Sequence, residues 1–165
     1  METYTVTSNG LSGEEWIARL HAGKWDISDC EIQMLCDKNF IATTGVTHKL
    51  VLIKGEEFED DDRITSKVRA EAQRRGYLAP PAEVAPLLRE LITDKDIERT
   101  GLFSLTVMHE PLVGARGLPH LLSVSRYDTG RLLMSYYGRP ELEWARVHGF
   151  VFLAPSAKDQ NPENL

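Results

Sequence analysis

The chain has 165 residues, of which 42% are hydrophobic and 27% charged, a composition that suits one globular domain with a sizeable core. Its 19 basic and 25 acidic side chains give a net charge of -6, which argues against general nucleic-acid binding because such binders neutralise phosphates. No apolar run approaches the ~20 residues of a membrane span, and residues 1–5 lack the basic start of a signal peptide. We therefore expect a cytoplasmic protein that does not enter a membrane, with Cys30 and Cys36 as half-buried free thiols.

Residues 1–42 predict a short helical hairpin that docks on the rest of the chain. Residues 1–10 are polar and predict no element. The segments Ser12–Glu15 and Ser28–Glu31 each have the S-x-x-E spacing of a capping box, which opens a helix. The side chains expected to face inward are Trp16, Ile17, Leu20, Ile32, Leu35 and Cys36. A unit of about 40 residues is too small to be stable alone, so it must pack on the larger C-terminal part of the chain.

One strand and three helices are predicted next. Their expected bounds are residues 46–54 for the strand and residues 62–75, 82–92 and 93–101 for the helices. Residues 56–62 carry six carboxylates, which suit either a hard cation such as Ca²⁺ or the solvated start of a helix. Their spacing is not that of a D-x-D-x-D-G calcium loop, which favours the helix start.

Four further strands are predicted at residues 102–109, 120–126, 131–137 and 148–154. The second and third are joined by Tyr-Asp-Thr-Gly at 127–130, a turn sequence. Helices followed by strands predict an α+β fold with an antiparallel sheet, in which strand 46–54 pairs with strand 148–154. We expect residues 43–155 to form the core domain and residues 156–165 a flexible tail.

Two segments carry a family resemblance. Residues 72–83, AQRRGYLAPPAE, are similar to a G-x-R-x-P-T-x-x-E junction between two helices. Residues 130–137, GRLLMSYY, followed by Trp144 and by GFVFLA at 149–154, are similar to a closing G-F-R-x-A strand. With these segments the chain resembles, over about residues 46–154, the C-type-lectin-like fold in its branch without disulfides. That branch includes formylglycine-generating enzymes and target proteins of diversity-generating retroelements.

The resemblance implies a binding scaffold whose ligand contacts lie on the strand-and-loop surface near residues 126–147. Three features depart from the family pattern. Val151 stands where the closing motif has Arg, Glu110-Pro111 lacks the Asn of a calcium-sugar triplet, and the C-terminal half has no cysteine. The calcium chemistry of lectins and the cysteine chemistry of the formylglycine enzymes are therefore not carried over, and we expect no metal and no cofactor.

Residues 126–147 are locally basic and aromatic, and we expect them to contact a partner protein or a small ligand. Tyr, Trp and Arg are enriched at binding hot spots because they bury much area and keep a polar group. The candidate residues are Arg126, Tyr127, Arg131, Ser135, Tyr137, Arg139, Trp144 and Arg146. For Tyr136 and Trp144 the competing interpretation, that they close the core, is favoured. Tyr137, Arg139 and Arg146 are expected to be exposed.

The alternative function is that of a small metal-independent ribonuclease or toxin. In it, an antiparallel sheet bearing His109, Glu110, Arg126, Tyr137 and His148 would offer the general base, general acid and cation that such chemistry needs, with His109, Glu110 and Arg126 as the candidates. However, His and Glu often end strands without any catalytic role, and the acidic balance opposes RNA binding. We assign no catalytic residue, and the five histidines contain no H-x-x-x-H pair that would indicate zinc.

Overall fold

The computed structural model describes residues 2–127 and 130–155, without the side chains of Tyr127 and Arg131. The predicted turn residues Asp128 and Thr129 and the predicted flexible tail 156–165 lie outside the described residues. The strands are β1 (Thr3–Asn9), β2 (Thr44–Lys54), β3 (Ser104–Val107), β4 (Leu112–Val113), β5 (Pro119–Tyr127), β6 (Gly130–Tyr137) and β7 (His148–Leu153). The α-helices are α1 (Gly13–Ala22), α2 (Asp29–Leu35), α3 (Thr65–Arg74), α4 (Val84–Leu91) and α5 (Asp94–Arg99). The fold class is α+β, as predicted, and no helix of the described part is long and apolar enough to cross a membrane.

All seven strands belong to one sheet. In it β1 pairs with β2, β2 with β7, β7 with β3, and β3 with β5, while β4 and β6 also pair with β5. The antiparallel β2–β7 ladder runs from Leu50 opposite Leu153 to Lys54 opposite Gly149, which confirms the predicted pairing of these strands. However, β3 and β7 are parallel, so the prediction of an antiparallel sheet was wrong there. Residues 138–147 carry the chain back across the sheet before β7 begins, and local patterning does not reveal such a crossing.

Residues 3–9, for which no element was predicted, form the edge strand β1. Val6 and Ser8 are buried, whereas Thr3, Thr5 and Thr7 are exposed, which is the period of a strand with one covered face. The threonines gave the segment a polar composition that hid this alternation. Residues 1–42 therefore contribute a strand to the sheet in addition to α1 and α2, and a domain boundary at residue 42 stays a prediction.

Both faces of the sheet are covered. On one face α1, α2, α4 and α5 pack through side chains that include Trp16, Leu20, Leu88 and Ile97. On the other face α3 packs through Val68 and Ala72. Because β2 lies between these two layers, residues 50–53 of β2 form a continuous apolar run rather than an alternating one.

Several helix ends refine the predicted bounds. The Ser12 capping box is confirmed, since Glu15 N–H donates to Ser12 Oγ (3.2 Å) and Ser12 N–H to Glu15 Oε1 (3.1 Å). Helix α3 begins at Thr65 rather than at residue 62, because residues 60–62 form a separate 3-10 turn. Cys36 was predicted to face inward but is exposed, because α2 ends at Leu35 and Cys36 is its C-terminal cap.

Candidate functional site

An open cleft of about 850 Å³ lies beside strand β6. Three stretches that are distant in the sequence line it, namely residues 26–31 at the start of α2, residues 132–137 of β6, and residues 142–148. Ala115 and His120 complete the lining. We call this feature the β6 cleft. The predicted site residues that line it are Ser135, Tyr137 and Trp144.

The backbone hydrogen bonds of β5 show which residues of β6 point their N–H and C=O groups toward β5 and which point them away from the sheet. Arg126 N–H donates to the Phe103 carbonyl of the β3 side (3.1 Å), and Gly138 N–H donates to the Pro119 carbonyl (2.9 Å). Successive strand residues turn their N–H and C=O groups to opposite edges. Even-numbered residues of β5 therefore face β3, and odd-numbered residues face β6.

The outer edge of β6 is only partly occupied. The β6 residues opposite the odd-numbered residues of β5 are Leu132, Met134 and Tyr136. Leu133, Ser135 and Tyr137 therefore turn their backbone groups outward, and Leu133 N–H donates to the Asp26 carbonyl (3.3 Å). Among the described residues, Ser135 N–H, Ser135 C=O and Tyr137 N–H have no hydrogen-bond partner. The cleft thus contains a short open strand edge.

The first wall of the cleft, residues 26–31, is fixed to β6 through Glu31. The Glu31 carboxylate accepts hydrogen bonds from Ser28 N–H (3.1 Å), the Ser28 hydroxyl (2.7 Å) and the Ser135 hydroxyl (2.8 Å). Cys30 Sγ accepts from Ala115 N–H (3.2 Å) and lies 3.4 Å from the Ser135 hydroxyl oxygen. The S-x-x-E spacing that begins α2 therefore also positions the carboxylate that holds the strand. The side chain of Ser135 supports the wall, and its backbone is what remains open.

Trp144 anchors the second wall, residues 142–148. Its side chain is buried, and its indole N–H donates to Thr65 Oγ1 (2.8 Å). Its ring meets those of Tyr136 (5.3 Å), His148 (5.3 Å) and Phe150 (5.5 Å) edge to face. Trp144 therefore closes the core, in agreement with the competing interpretation, and it lines the cleft as well.

Arg63 fixes the position of this wall. Its buried guanidinium donates to the carbonyls of Gly55 (2.9 Å), Phe58 (3.2 Å) and Trp144 (3.3 Å), and it forms a salt bridge with Asp60 (2.9 Å). Trp144 N–H donates in return to the Arg63 carbonyl (2.9 Å). Only a planar guanidinium has enough donors to satisfy so many acceptors at once.

The charge of the cleft is opposite to the predicted one. Asp26, Glu31 and Glu143 line it, and no lysine or arginine side chain of the described part does. His148 also lines it, and burial lowers the pKa of this imidazole, so it is neutral at pH 7. The β6 cleft is therefore acidic, although residues 126–147 are locally basic in sequence.

The predicted arginines whose side chains the structure describes do not line the cleft. Arg126 is half-buried, and its Nε–H donates to the Leu102 carbonyl (2.9 Å). Arg139 and Arg146 are exposed, as expected, and the Arg139 guanidinium lies 5.6 Å from the centre of the Tyr137 ring. Tyr137 itself is 42% exposed. The predicted site side chains that lie outside the described part are those of Tyr127 and Arg131.

The three residues of the ribonuclease alternative do not share a site. His109 is buried, its Nε2 accepts from Leu122 N–H (2.9 Å), and its Nδ1 lies 2.7 Å from the Glu110 carbonyl. Burial lowers the pKa of His109 to about 4. Both ring nitrogens of His109 are thus hydrogen-bonded to backbone groups, and the Glu110 side chain is exposed. Arg126 lies four residues along β5 from Leu122, the residue that His109 contacts, which is a distance of about 13 Å.

The acidic wall residues and His120 were not among the predicted site residues. Asp26 lies two residues before the second capping box, a signal that indicated only where a helix begins. His120 lies on β5 with its ring 4.9 Å from that of Tyr137, and its Nδ1 is 2.8 Å from the Leu118 carbonyl. No local pattern brings residues 26–31 next to residues 132–137, because that proximity depends on how α2 packs on the sheet.

Comparison of the chain with protein-family models, with curated proteins and with solved structures finds no match.

Proposed function

We propose that the protein is a non-enzymatic binding module and that the β6 cleft holds a ligand or a segment of a partner protein. The observation that carries this proposal is the open edge inside a concave site. Ser135 and Tyr137 turn backbone groups outward that no described residue satisfies. Such groups are bonded to water or to a partner, and a cleft of about 850 Å³ has the size of ordinary ligand sites.

The polar side chains of the cleft support binding rather than reaction. A base within hydrogen-bond reach is one common activator of a nucleophilic cysteine. Cys30 Sγ instead accepts from Ala115 N–H and lies against the Ser135 hydroxyl, and His120 Nδ1 lies against the Leu118 carbonyl. The Glu31 carboxylate is engaged by two donors of its own wall and by the Ser135 hydroxyl. These groups hold the walls in place.

We extend the proposal to the scaffold, which we take to have a C-type-lectin-like layout. Two observations support it. The early strand β2 pairs with the last strand β7. Along the sequence, α3 and α4 come after β2 and before the strand-rich part of the chain. A binding site on the strands and loops of residues 126–147 is what that resemblance implies.

The proposal is tested by NMR with a library of small aromatic, amide and ammonium fragments added to the ¹⁵N-labelled chain. We expect the shifted amide signals to concentrate on residues 26–31, 132–137 and 142–148. Hits spread over other surfaces, or none in the β6 cleft, would contradict the proposal.

Variants then separate binding from folding. Replacing Tyr137 and Arg139 with Ala should weaken the cleft-binding fragments severalfold and leave the melting temperature within about 2 °C, because both side chains are exposed. Arg74→Ala is the matched control, since that side chain is 71% exposed on α3, in a different part of the surface. An unfolded double variant would make the two residues structural instead.

A further inference from the structure

The open edge of β6 has the spacing of a β-ladder. Ser135 and Tyr137 lie two residues apart on one strand, about 7 Å, and both turn their backbone groups outward. The backbone of an extended peptide beside β6 could form hydrogen bonds with the outward groups of Ser135 and Tyr137 and so add to the sheet as a further strand. A compact small ligand has no such repeat of donors and acceptors.

The two sides of this edge differ in polarity. Side chains of an added strand would alternate between the sheet faces. One side would meet the Asp26–Glu31 wall, where Ser28 and Glu31 are polar. The other side would meet Met134, Tyr136 and Trp144, which are apolar or aromatic. The cleft therefore suits a peptide that alternates between polar and apolar residues.

Charge selects the polar residues of that peptide. Carboxylates stand on both walls, Asp26 on the first and Glu143 on the second, and the chain carries a net charge of -6. Lysine and arginine are attracted to such a cleft, and acidic segments are repelled. A second copy of this chain would bring the same carboxylates to the same place, so like charges disfavour pairing of two β6 edges.

We propose that the β6 cleft binds an extended peptide segment of alternating basic and apolar residues, which adds to β6 as a further strand. This inference rests on the proposed function, since it names the partner of the same cleft.

The first test uses a dye-labelled nonapeptide of alternating Lys and Val, blocked at both ends, in a fluorescence anisotropy titration. Two peptides serve as comparisons, one with Glu in place of Lys and one with the Lys and Val residues in separate blocks. We expect the alternating basic peptide to bind at least tenfold more tightly than either, and its binding to weaken as salt is raised.

Strand addition is tested at Ser135. Ser135→Pro removes the outward N–H, and proline is tolerated on an edge strand whose N–H faces solvent. Ser135→Ala is the matched control, because it removes the same hydroxyl but keeps the N–H. We expect the proline variant to bind the peptide about tenfold more weakly than the alanine variant. If the proline variant does not fold, N-methylation of alternate residues of the peptide tests the reciprocal hydrogen bonds, which peptide N–H groups would donate to the Ser135 carbonyl, on the unchanged protein.

Charge selection is tested by Asp26→Asn and Glu143→Gln. Asp26→Asn should weaken the basic peptide about threefold, a value typical of an exposed ion pair. Glu143→Gln should weaken it less, because Glu143 lies on the wall that meets the apolar side chains of the peptide. Asp61→Asn is the control, since it removes an exposed carboxylate from the acidic run 56–62. A larger loss of peptide affinity in Asp61→Asn than in the cleft variants would mean that the peptide binds the acidic run, and it would overturn the inference.

Two outcomes distinguish this inference from the proposed function. If fragments bind in the β6 cleft but the alternating peptide binds no better than the block peptide, the strand-addition inference fails and the binding module stands. If neither binds there, both fail. A dimer in solution that Ser135→Pro dissociates would replace the peptide with a second copy of the chain.

Discussion

Trp144 and Tyr137 were both candidate site residues, with Trp144 expected to close the core and Tyr137 to be exposed, and the structure gives them these opposite environments. Trp144 is 6% exposed and donates a hydrogen bond to Thr65, whereas Tyr137 is 42% exposed. The alternation of β6 predicted which tyrosine faces out. It gave no information on Trp144, because that residue lies in the connection between β6 and β7 and its burial depends on α3.

Replacing Trp144 with Ala should lower the free energy of unfolding by about 3–5 kcal/mol, because it empties an aromatic cluster and leaves Thr65 without its donor. Tyr137→Ala should cost less than about 1 kcal/mol. Urea denaturation followed by circular dichroism measures both. Equal losses would mean that Tyr137 is part of the core.

His109 should make stability depend on pH. Its pKa is about 4 in the folded chain, against 6.5 when unfolded, so the unfolded chain binds the proton first as the pH falls. Stability is therefore complete above about pH 7 and should fall by about 2 kcal/mol between pH 7.5 and pH 5 from this residue. Burial lowers the pKa of His148 too, which acts in the same direction.

Urea denaturation at the two pH values tests this. His109→Gln should reduce the difference between them, whereas His21→Gln, a change at an exposed position on α1, should not. An unchanged difference in the His109 variant would contradict the account, because another group would then carry the titration.

Among the elements, the second wall of the cleft depends on Arg63 more than on any local propensity of residues 142–148. Three carbonyls from two different segments accept hydrogen bonds from this side chain. In the sequence, an arginine that follows a run of acidic residues would be expected to lie on the surface. Its burial could not be predicted, because its partners are backbone groups of loops whose positions are set by the whole fold.

Arg63→Lys should lower the free energy of unfolding by about 2–4 kcal/mol, since an ammonium group cannot reach all of these carbonyls and buried acceptors lose their donor. Tryptophan fluorescence should also change, because Trp144 is held by the same bonds. Urea denaturation followed by that fluorescence measures both effects. Arg74→Lys, at an exposed position of α3, is the control. A similar loss of unfolding free energy in that variant would contradict the role given to Arg63.

Most strands and helix starts were predictable because they depend on short-range patterns. The runs that became β2, β5, β6 and β7 alternate or are wholly apolar, and Ser12 with Glu15 marks a helix start at a fixed spacing. Strand β1 was missed because threonine is both polar and a good strand former. The parallel β3–β7 pair was missed because it depends on a connection that crosses the sheet.

At the scale of the whole molecule, the sheet has covered faces and a partly open edge at β6. Pairing of an early and a late strand was predictable from their apolar character, whereas the cleft depends on three distant segments that meet at that edge. Its acidic charge arises because two of these segments supply carboxylates and the arginines of 126–147 with described side chains do not line it. The residues around Ser135 in the sequence, taken alone, would have predicted a basic cleft and not an acidic one.

Amide hydrogen exchange along β6, measured by NMR, tests the open edge most directly. In the free protein we expect slow exchange at Met134 and Tyr136, which bond to β5, and fast exchange at Ser135 and Tyr137. The alternating Lys-Val peptide at saturation should slow exchange at Ser135 and Tyr137 at least tenfold and leave Met134 and Tyr136 unchanged. Slow exchange at Ser135 and Tyr137 in the free protein, or no added protection with the peptide bound, would contradict the account.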